Sequence, residues 1–446
     1  MAEVSQKKRI WGWMLFDWAS QPYNTLLITF IFAPYFVSAV VGDPVKGQAA
    51  WGYTVGIAGV VIAIMAPILG AISDTTGPRR PWIWGFSAMY VVGSFLLWWA
   101  VPGMADYTWI LVAFGVGLIG MEFATIFTNA FLPELGPHEE VGRLSGNGWA
   151  LGYVGGLITL VMMLALLAEN GDGVTLLGTP PIFGLDAAAR EGTRSVGPLT
   201  SVWYVIFIIP FFLWVRDAPR KASVQGALRQ GIGELVITLK TLPRHPSLFA
   251  YLAASMFYRD ALNGIYTFGG IYAKGVLGWS IVSIGVFGIL AITSGALFAW
   301  LGGKADHAFG PKPVILFSIF TLIATVFVII MVDRQSVLGV AVTPDSSLPD
   351  IVFYICGFVI GAAGGTIQAA SRTMLVWQAN EDRMTEAFGL YALSGKATAF
   401  LAPLGIAVAT DLTGSQRLGV TPVLALFALG LVLLAFVRAG GVTAKE

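Results

Sequence analysis

The chain has 446 residues, of which 56% are hydrophobic and only 11% charged, with a mean hydropathy of +0.77 and a formal net charge of +1. That balance excludes a water-soluble domain, and the near-neutral charge speaks against a nucleic-acid partner. The 15 Trp, 29 Phe and 54 Gly suit a lipid environment, where Trp anchors at interfaces and Gly lets helices approach closely.

Lys7, Lys8 and Arg9 precede the first apolar stretch in the manner of a signal peptide. The stretch is long, carries Asp17 and lacks a small-residue cleavage site, so it reads as a retained first helix. Apolar runs then predict twelve spans, at 10–37, 49–73, 81–101, 107–133, 145–168, 198–215, 247–273, 280–302, 312–332, 351–377, 384–410 and 419–438. With both termini inside, 17 Lys and Arg face the cytoplasm and 6 face outward, while Arg259, Arg372 and Lys396 lie within spans. The positive-inside rule thus predicts a multi-pass inner-membrane protein with cytoplasmic N- and C-termini.

The longest basic connection, 216–246, falls midway and carries Arg216, Arg220, Lys221, Arg229, Lys240 and Arg244. It divides a six-helix unit at 1–215 from another at 247–446. Within it Leu228, Ile232, Leu235, Val236 and Leu239 recur at helical spacing, which predicts an amphipathic helix on the inner leaflet. The outer segment 169–197, rich in Gly, Asp and Pro, is either a structured lid or a loose loop.

Several spans carry polar stripes. Asp17, Ser20, Gln21 and Asn24 share one face of the first helix, and Glu122, Thr125 and Asn129 share one face of the fourth. Arg259, Asp260, Asn263 and Thr267 mark the seventh, and Gln368, Ser371 and Arg372 the tenth. Lys396 lies about twelve residues into the eleventh span, too deep for easy snorkelling. A charge at mid-bilayer costs at least about 2.5–3.5 kcal/mol, so each needs a partner, water or a function.

Two stretches repeat across the midpoint. Asp17, Tyr23 and Thr25 answer to Asp260, Tyr266 and, one position out of register, Thr267. GAISDTTGPRRP at 70–81 answers to GGKADHAFGPKP at 302–313, each with a Gly, an Asp, then Gly-Pro and a basic residue. Such a turn packs two helices closely and lets the Asp cap or pair, which makes Asp74, Arg79, Arg80, Asp306 and Lys312 candidate gating residues. The second copy has one extra residue, Phe309.

These loops resemble the signature of the major facilitator superfamily. More narrowly, 11–36, NAFLPEL at 129–135, RLSGNGWALGYVGG at 143–156 and FGLYALSGKATAFLAPLG at 388–405 resemble the vacuole-effluxer-like branch, which includes the fungal autophagy-related vacuolar amino-acid effluxers. The resemblance implies an all-α membrane protein of twelve transmembrane helices in two pseudo-symmetric six-helix bundles, working as a monomer by alternating access. It also implies that helices 1, 4, 7 and 10 line a central cavity, where the polar stripes fall.

Asp17 and Glu122 lie in the N-terminal half, and Arg372 and Lys396 in the C-terminal half with the Arg259–Asp260 pair. That polarity matches a small zwitterion whose carboxylate meets Lys396 or Arg372 and whose ammonium meets Asp17 or Glu122. A proton-coupled carrier would use Asp17, Glu122 or Asp260. The alternative is a sugar or glycoside symporter, since GPRRPW also resembles sugar-carrying branches, with Trp149 and Trp377 as stacking surfaces. No phosphate-binding GxxxxGK[ST] loop, nucleophile with its base, cofactor motif or metal cluster is visible, so neither ATP-driven pumping nor enzyme chemistry is expected. Cys356 is the only cysteine, and His138, His245 and His307 fall in predicted loops.

Overall fold

A computed structural model describes residues 4–217, 219, 224–279, 281–343 and 345–440. Arg220, Lys221 and the side chain of Leu228, named above for the basic connection, lie outside the described residues. Eleven helices among those described are long and apolar enough to cross a membrane, and Pro246–Leu277 adds a twelfth long helix. In chain order the spans are Gln6–Val41, Ala50–Thr76, Arg80–Trp99, Thr108–Glu134, His138–Leu167, Glu191–Trp214, Pro246–Leu277, Ser283–Phe309, Pro311–Ile330, Leu348–Gln378, Glu381–Thr413 and Gln416–Ala435. Several outrun the predicted apolar runs, because their last turns carry the polar residues of the connecting loops.

The first and eleventh spans depart from regular α-helix part-way along their length. Pro22 has no N–H to donate, and beyond it Tyr23–Phe30 widens into π-helical turns, with the Ile31 amide reaching back to Leu26 O (3.0 Å). The eleventh span stops at Ala397 and restarts at Leu401. There the Leu401 amide turns to Thr398 O (2.8 Å), and the Ala402 amide is taken by the Asp260 carboxylate (2.8 Å).

Within the N-terminal six, the first span packs between the fifth and sixth, and the third lies on the fourth. Stacked rings fill this core: Tyr90 lies 4.0 Å from Tyr204, and the fully buried Tyr23 donates its hydroxyl to Phe114 O (2.7 Å). In the C-terminal six, the seventh span packs on the twelfth, and the tenth on the eighth and ninth. The sixes meet chiefly through the second span against the eleventh and the fifth against the eighth.

Glycine sets how close they come. Gly52, Gly56, Gly59 and Gly70 share one face of the second span. A Cβ on Gly70 would stand 2.6 Å from Thr385 O of the eleventh span, and one on Gly389 would stand 2.6 Å from Ala66 O. Gly146 and Gly303 give the fifth and eighth spans the same backbone contact, at 2.5 Å. Toward the opposite end, Gly59 meets only the Lys396 stem at 4.0 Å, and Gly56 and Gly52 meet nothing within 4 Å. The halves are therefore pressed together at the face that carries both termini, and elsewhere the approach is looser, as at Gly288, where an added Cβ would stand 3.2 Å from the Phe30 ring.

The segment 169–197 is ordered by Glu169, which is buried. Its carboxylate accepts the Thr193 amide (3.0 Å) and hydroxyl (2.7 Å) and pairs with Arg190 (2.9 Å), while Arg194 donates to Trp98 O (2.8 Å). These bonds tie the loop to the N-terminal half. After the ninth span, burial pulls the Asp333 carboxyl upward. The amides of Gln335 and Ser336 and the Arg417 guanidinium outweigh that and hold it below the usual carboxylate range.

Candidate substrate and gating site

Polar residues from both halves converge in two layers. In the layer nearer the terminus-bearing face, Arg372 of the tenth span crosses into the N-terminal half. It pairs with Asp17 (3.0 Å) and donates to Asn129 Oδ1 (2.9 Å), Ser145 Oγ (3.0 Å) and Ser145 O (2.8 Å). The rings of Trp13 and Trp149 lie 4.8 and 5.6 Å from its guanidinium carbon. The Arg372 side chain is 5% exposed, so its donors are spent on protein partners rather than on an open space.

The second layer is more open. Lys396 donates to Glu122 across the halves (3.0 Å), and the two side chains keep 33% and 26% exposure. Gln368 donates to the Tyr153 hydroxyl across the same divide (2.9 Å). Arg259 lies on the Tyr391 ring (3.9 Å) and donates to Tyr391 O (2.8 Å), with no carboxylate partner among the described residues. Gln21 and Asn24 are half-buried on the first span, and Asn263 is exposed on the seventh.

At the terminus-bearing face, Asp74 accepts the amides of Thr385 (3.3 Å) and Glu386 (2.8 Å), the first turn of the eleventh span. A carboxylate is stabilised there by free amides and the positive end of the helix dipole. Arg79 extends the contact to Thr385 Oγ1 (2.8 Å), Glu134 (2.5 Å) and Asp74 itself (3.5 Å). The second copy of the repeat behaves differently. Asp306 is buried against Gly142 of the fifth span, whose added Cβ would stand 2.6 Å from its Cγ. Neither of its oxygens accepts a well-formed hydrogen bond among the described residues, although the Thr373 hydroxyl lies close by.

The side chains of Asp260, Arg80 and Lys312 find their hydrogen-bond partners within their own half. Asp260 is 1% exposed and caps the restart of the eleventh span, so its side chain points into the C-terminal six rather than between the halves. Arg80 donates to Phe212 O at the end of the sixth span, and Lys312 donates to Val437 O (2.6 Å) just past the twelfth. Arg80 thereby satisfies an orphan helix carbonyl, and Lys312 also reaches the last one of the twelfth span, Ala435 O, at 3.5 Å. Trp377, offered above as a sugar platform, stacks on His138 at 4.3 Å. For Asp260→Ala the expected result is a loss of about 1–2 kcal/mol of stability, the worth of a helix cap, with substrate affinity nearly unchanged. Thermal unfolding together with a binding isotherm would check this, and a large loss of affinity would return Asp260 to the site.

Sequence reasoning overlooked Glu134, Ser145, Tyr153, Thr385 and Glu386 as partners. The first three lie in or beside motifs quoted above, NAFLPEL and RLSGNGWALGYVGG. The Thr385 and Glu386 amides carry no residue signature at all.

The family described as Vacuole effluxer Atg22 like has a sequence profile that matches residues 36–441. The chain belongs to the Atg22-like vacuole effluxer family. An MFS-type transporter of Bacillus subtilis, YxiO, is 27% identical over 431 residues, covering 96% of this chain and 94% of its own. Autophagy-related protein 22 of Coccidioides immitis is 23% identical, over 68% of this chain but only 50% of its own longer length.

Among solved structures, the proton:xylose symporter XylE superposes with a TM-score of 0.68 at 12% identity, covering 97% of this chain and 94% of its own. The human organic anion transporter MFSD10 gives 0.70 at 14%, covering 96% and 99%. At such identities the likeness is one of fold: twelve helices in two six-helix bundles, the major facilitator fold. This Atg22-like chain is therefore a multi-pass membrane transporter of that superfamily and not an enzyme, as its sequence implied.

Proposed function

We propose that the protein is a secondary transporter that moves a small zwitterion, an amino acid or a solute of the same charge pattern, across the inner membrane by alternating access. The observation that carries this reading is the Glu122–Lys396 pair. It joins the halves at mid-membrane, remains about a third exposed, and offers one charge of each sign to a solute that bears both. A substrate carboxylate on Lys396, with Arg259 beside it, and an ammonium on Glu122 would replace that pair with two charge-assisted contacts. Gln21, Asn24, Asn263 and Gln368 supply the neutral hydrogen bonds around it.

In this reading the units 1–215 and 247–446 rock about the site while 216–246 links them. The contacts of Asp74 and Arg79 with Thr385 and Glu386 at the head of the eleventh span close the cytoplasmic face, and the Arg372–Asp17–Asn129 cluster seals the layer above it. Termini in the cytoplasm and a monomeric carrier follow the charge distribution and the family architecture. Protons are the proposed coupling ion, with Glu122 the carboxylate best placed to carry them.

The test is counterflow in proteoliposomes with labelled amino acids and labelled sugars. Exchange of amino acids alone supports the zwitterion site. Exchange of sugars alone would replace it with a glycoside carrier, and exchange of neither would overturn the assignment of substrate.

A further inference from the structure

The helix Val224–Thr241 lies between the halves in sequence and touches both in space. Gly231 sits against Ala71 and Ile72 of the second span, where an added Cβ would stand 3.0 Å from Ile72 backbone atoms, and Leu235 beside it is buried. On the other side Glu234 pairs with Arg383 at the head of the eleventh span. Arg383 also holds Glu386, whose amide binds Asp74. The helix thus spans the closed seam.

What it turns away from the protein is specific. At 100° per residue, Arg229, Ile232, Val236, Leu239 and Lys240 fall within an arc of about 100°, next to the Gly231–Leu235 docking side. Ile232, Val236 and Leu239 are 42–46% exposed, Arg229 and Lys240 are exposed beside them, and Ile237, 61% exposed, continues the apolar surface beyond the two cations. Neither cation has an acidic partner among the described residues, and Glu234, the only acid of the helix, faces elsewhere toward Arg383. An exposed apolar surface that carries uncompensated cations fits the boundary between acyl chains and negative headgroups.

We propose that this helix binds anionic phospholipid headgroups, with Ile232, Val236 and Leu239 in the acyl boundary and Arg229 and Lys240 on the phosphates, and that lipid held there favours the closed seam between the second and eleventh spans. The direction follows from the contacts. Gly231 and Glu234 hold the two halves at once only while the seam is shut, so a bilayer that fixes the helix in this position favours that state.

The experiment uses the full chain with Cys356→Ala and spin labels at Lys8→Cys and Asp382→Cys, in nanodiscs of phosphatidylcholine with increasing phosphatidylglycerol. The short inter-label distance is expected to gain population as phosphatidylglycerol rises. Arg229→Gln with Lys240→Gln is expected to need about 25-fold more anionic lipid, at roughly fivefold for each cation removed. Thermal unfolding of that double variant, altered only at exposed positions, checks that it folds. Inorganic phosphate added to pure phosphatidylcholine discs is expected to leave the distance unchanged; a matching shift would assign the site to free phosphate instead. A native chain indifferent to phosphatidylglycerol, or a double variant that responds as the native chain does, overturns the proposal. Because the readout is a distance and needs no substrate, it stands apart from the transport reading, which counterflow alone decides.

Discussion

Lys396→Ala is expected to abolish counterflow while leaving the folded chain intact. The substitution removes the cation that pairs with Glu122 across the halves while staying partly exposed. A hydrogen bond from an ammonium to a carboxylate contributes about 1.5–3 kcal/mol net, and Glu122 would be left facing the substrate uncompensated. The combined effect on substrate affinity is at least about 100-fold. Glu122→Gln with Lys396→Met removes both charges and leaves neither stranded, so it is expected to recover stability but not transport. Unchanged counterflow in Lys396→Ala would remove that residue from the site.

The next largest effect is expected from Arg372→Gln, and it falls on the conformational equilibrium. The guanidinium joins the tenth span to Asp17, Asn129 and Ser145, all in the other half. Taking one partner from a buried ion pair costs about 3–5 kcal/mol, and here the whole cost falls on the closed arrangement, because separation of the halves lets water reach Asp17. A shift of 100-fold or more toward the arrangement open at the terminus-bearing face follows. Asp17→Asn with Arg372→Gln should restore most of the closed population, and distance measurements between labelled halves report it. If the single and double variants gave the same distribution, the pair would contribute nothing to closure.

The twelve spans were legible because lipid demands about twenty apolar residues per crossing, and polar stripes stand out against that background. On that basis Asp17, Asn129 and Arg372 were named from three separate helices, and the structure joins them in one cluster. Glu122 and Lys396 were likewise named apart and form one pair. Asp260 shows where the reading ran out. Its stripe fixes a face of the seventh span but not which neighbour that face meets, and the eleventh span meets it with a bare amide. The difference between Asp74 and Asp306 was hidden for a similar reason. Their motifs match, but one carboxylate finds helix amides and the other a Cα surface at Gly142. The break at Thr398–Phe400 is announced only by Pro403, which has no N–H to give Ala399 O and sits in the first turn of the restarted segment, a signal the apolar run concealed.

That break changes how the eleventh span can take part in closure. Its first segment, Met384–Ala397, is bound to the second span through Gly70 and Gly389, and its second, Leu401–Thr413, is moored to the seventh span by Asp260. A jointed rod anchored at both ends bends at the joint, and Lys396 stands two residues before it. A force applied to that ammonium therefore acts as a torque on the segment that seals the terminus-bearing face. In the proposed cycle, occupancy of the site would bend half a helix at this joint as the two units begin to rock.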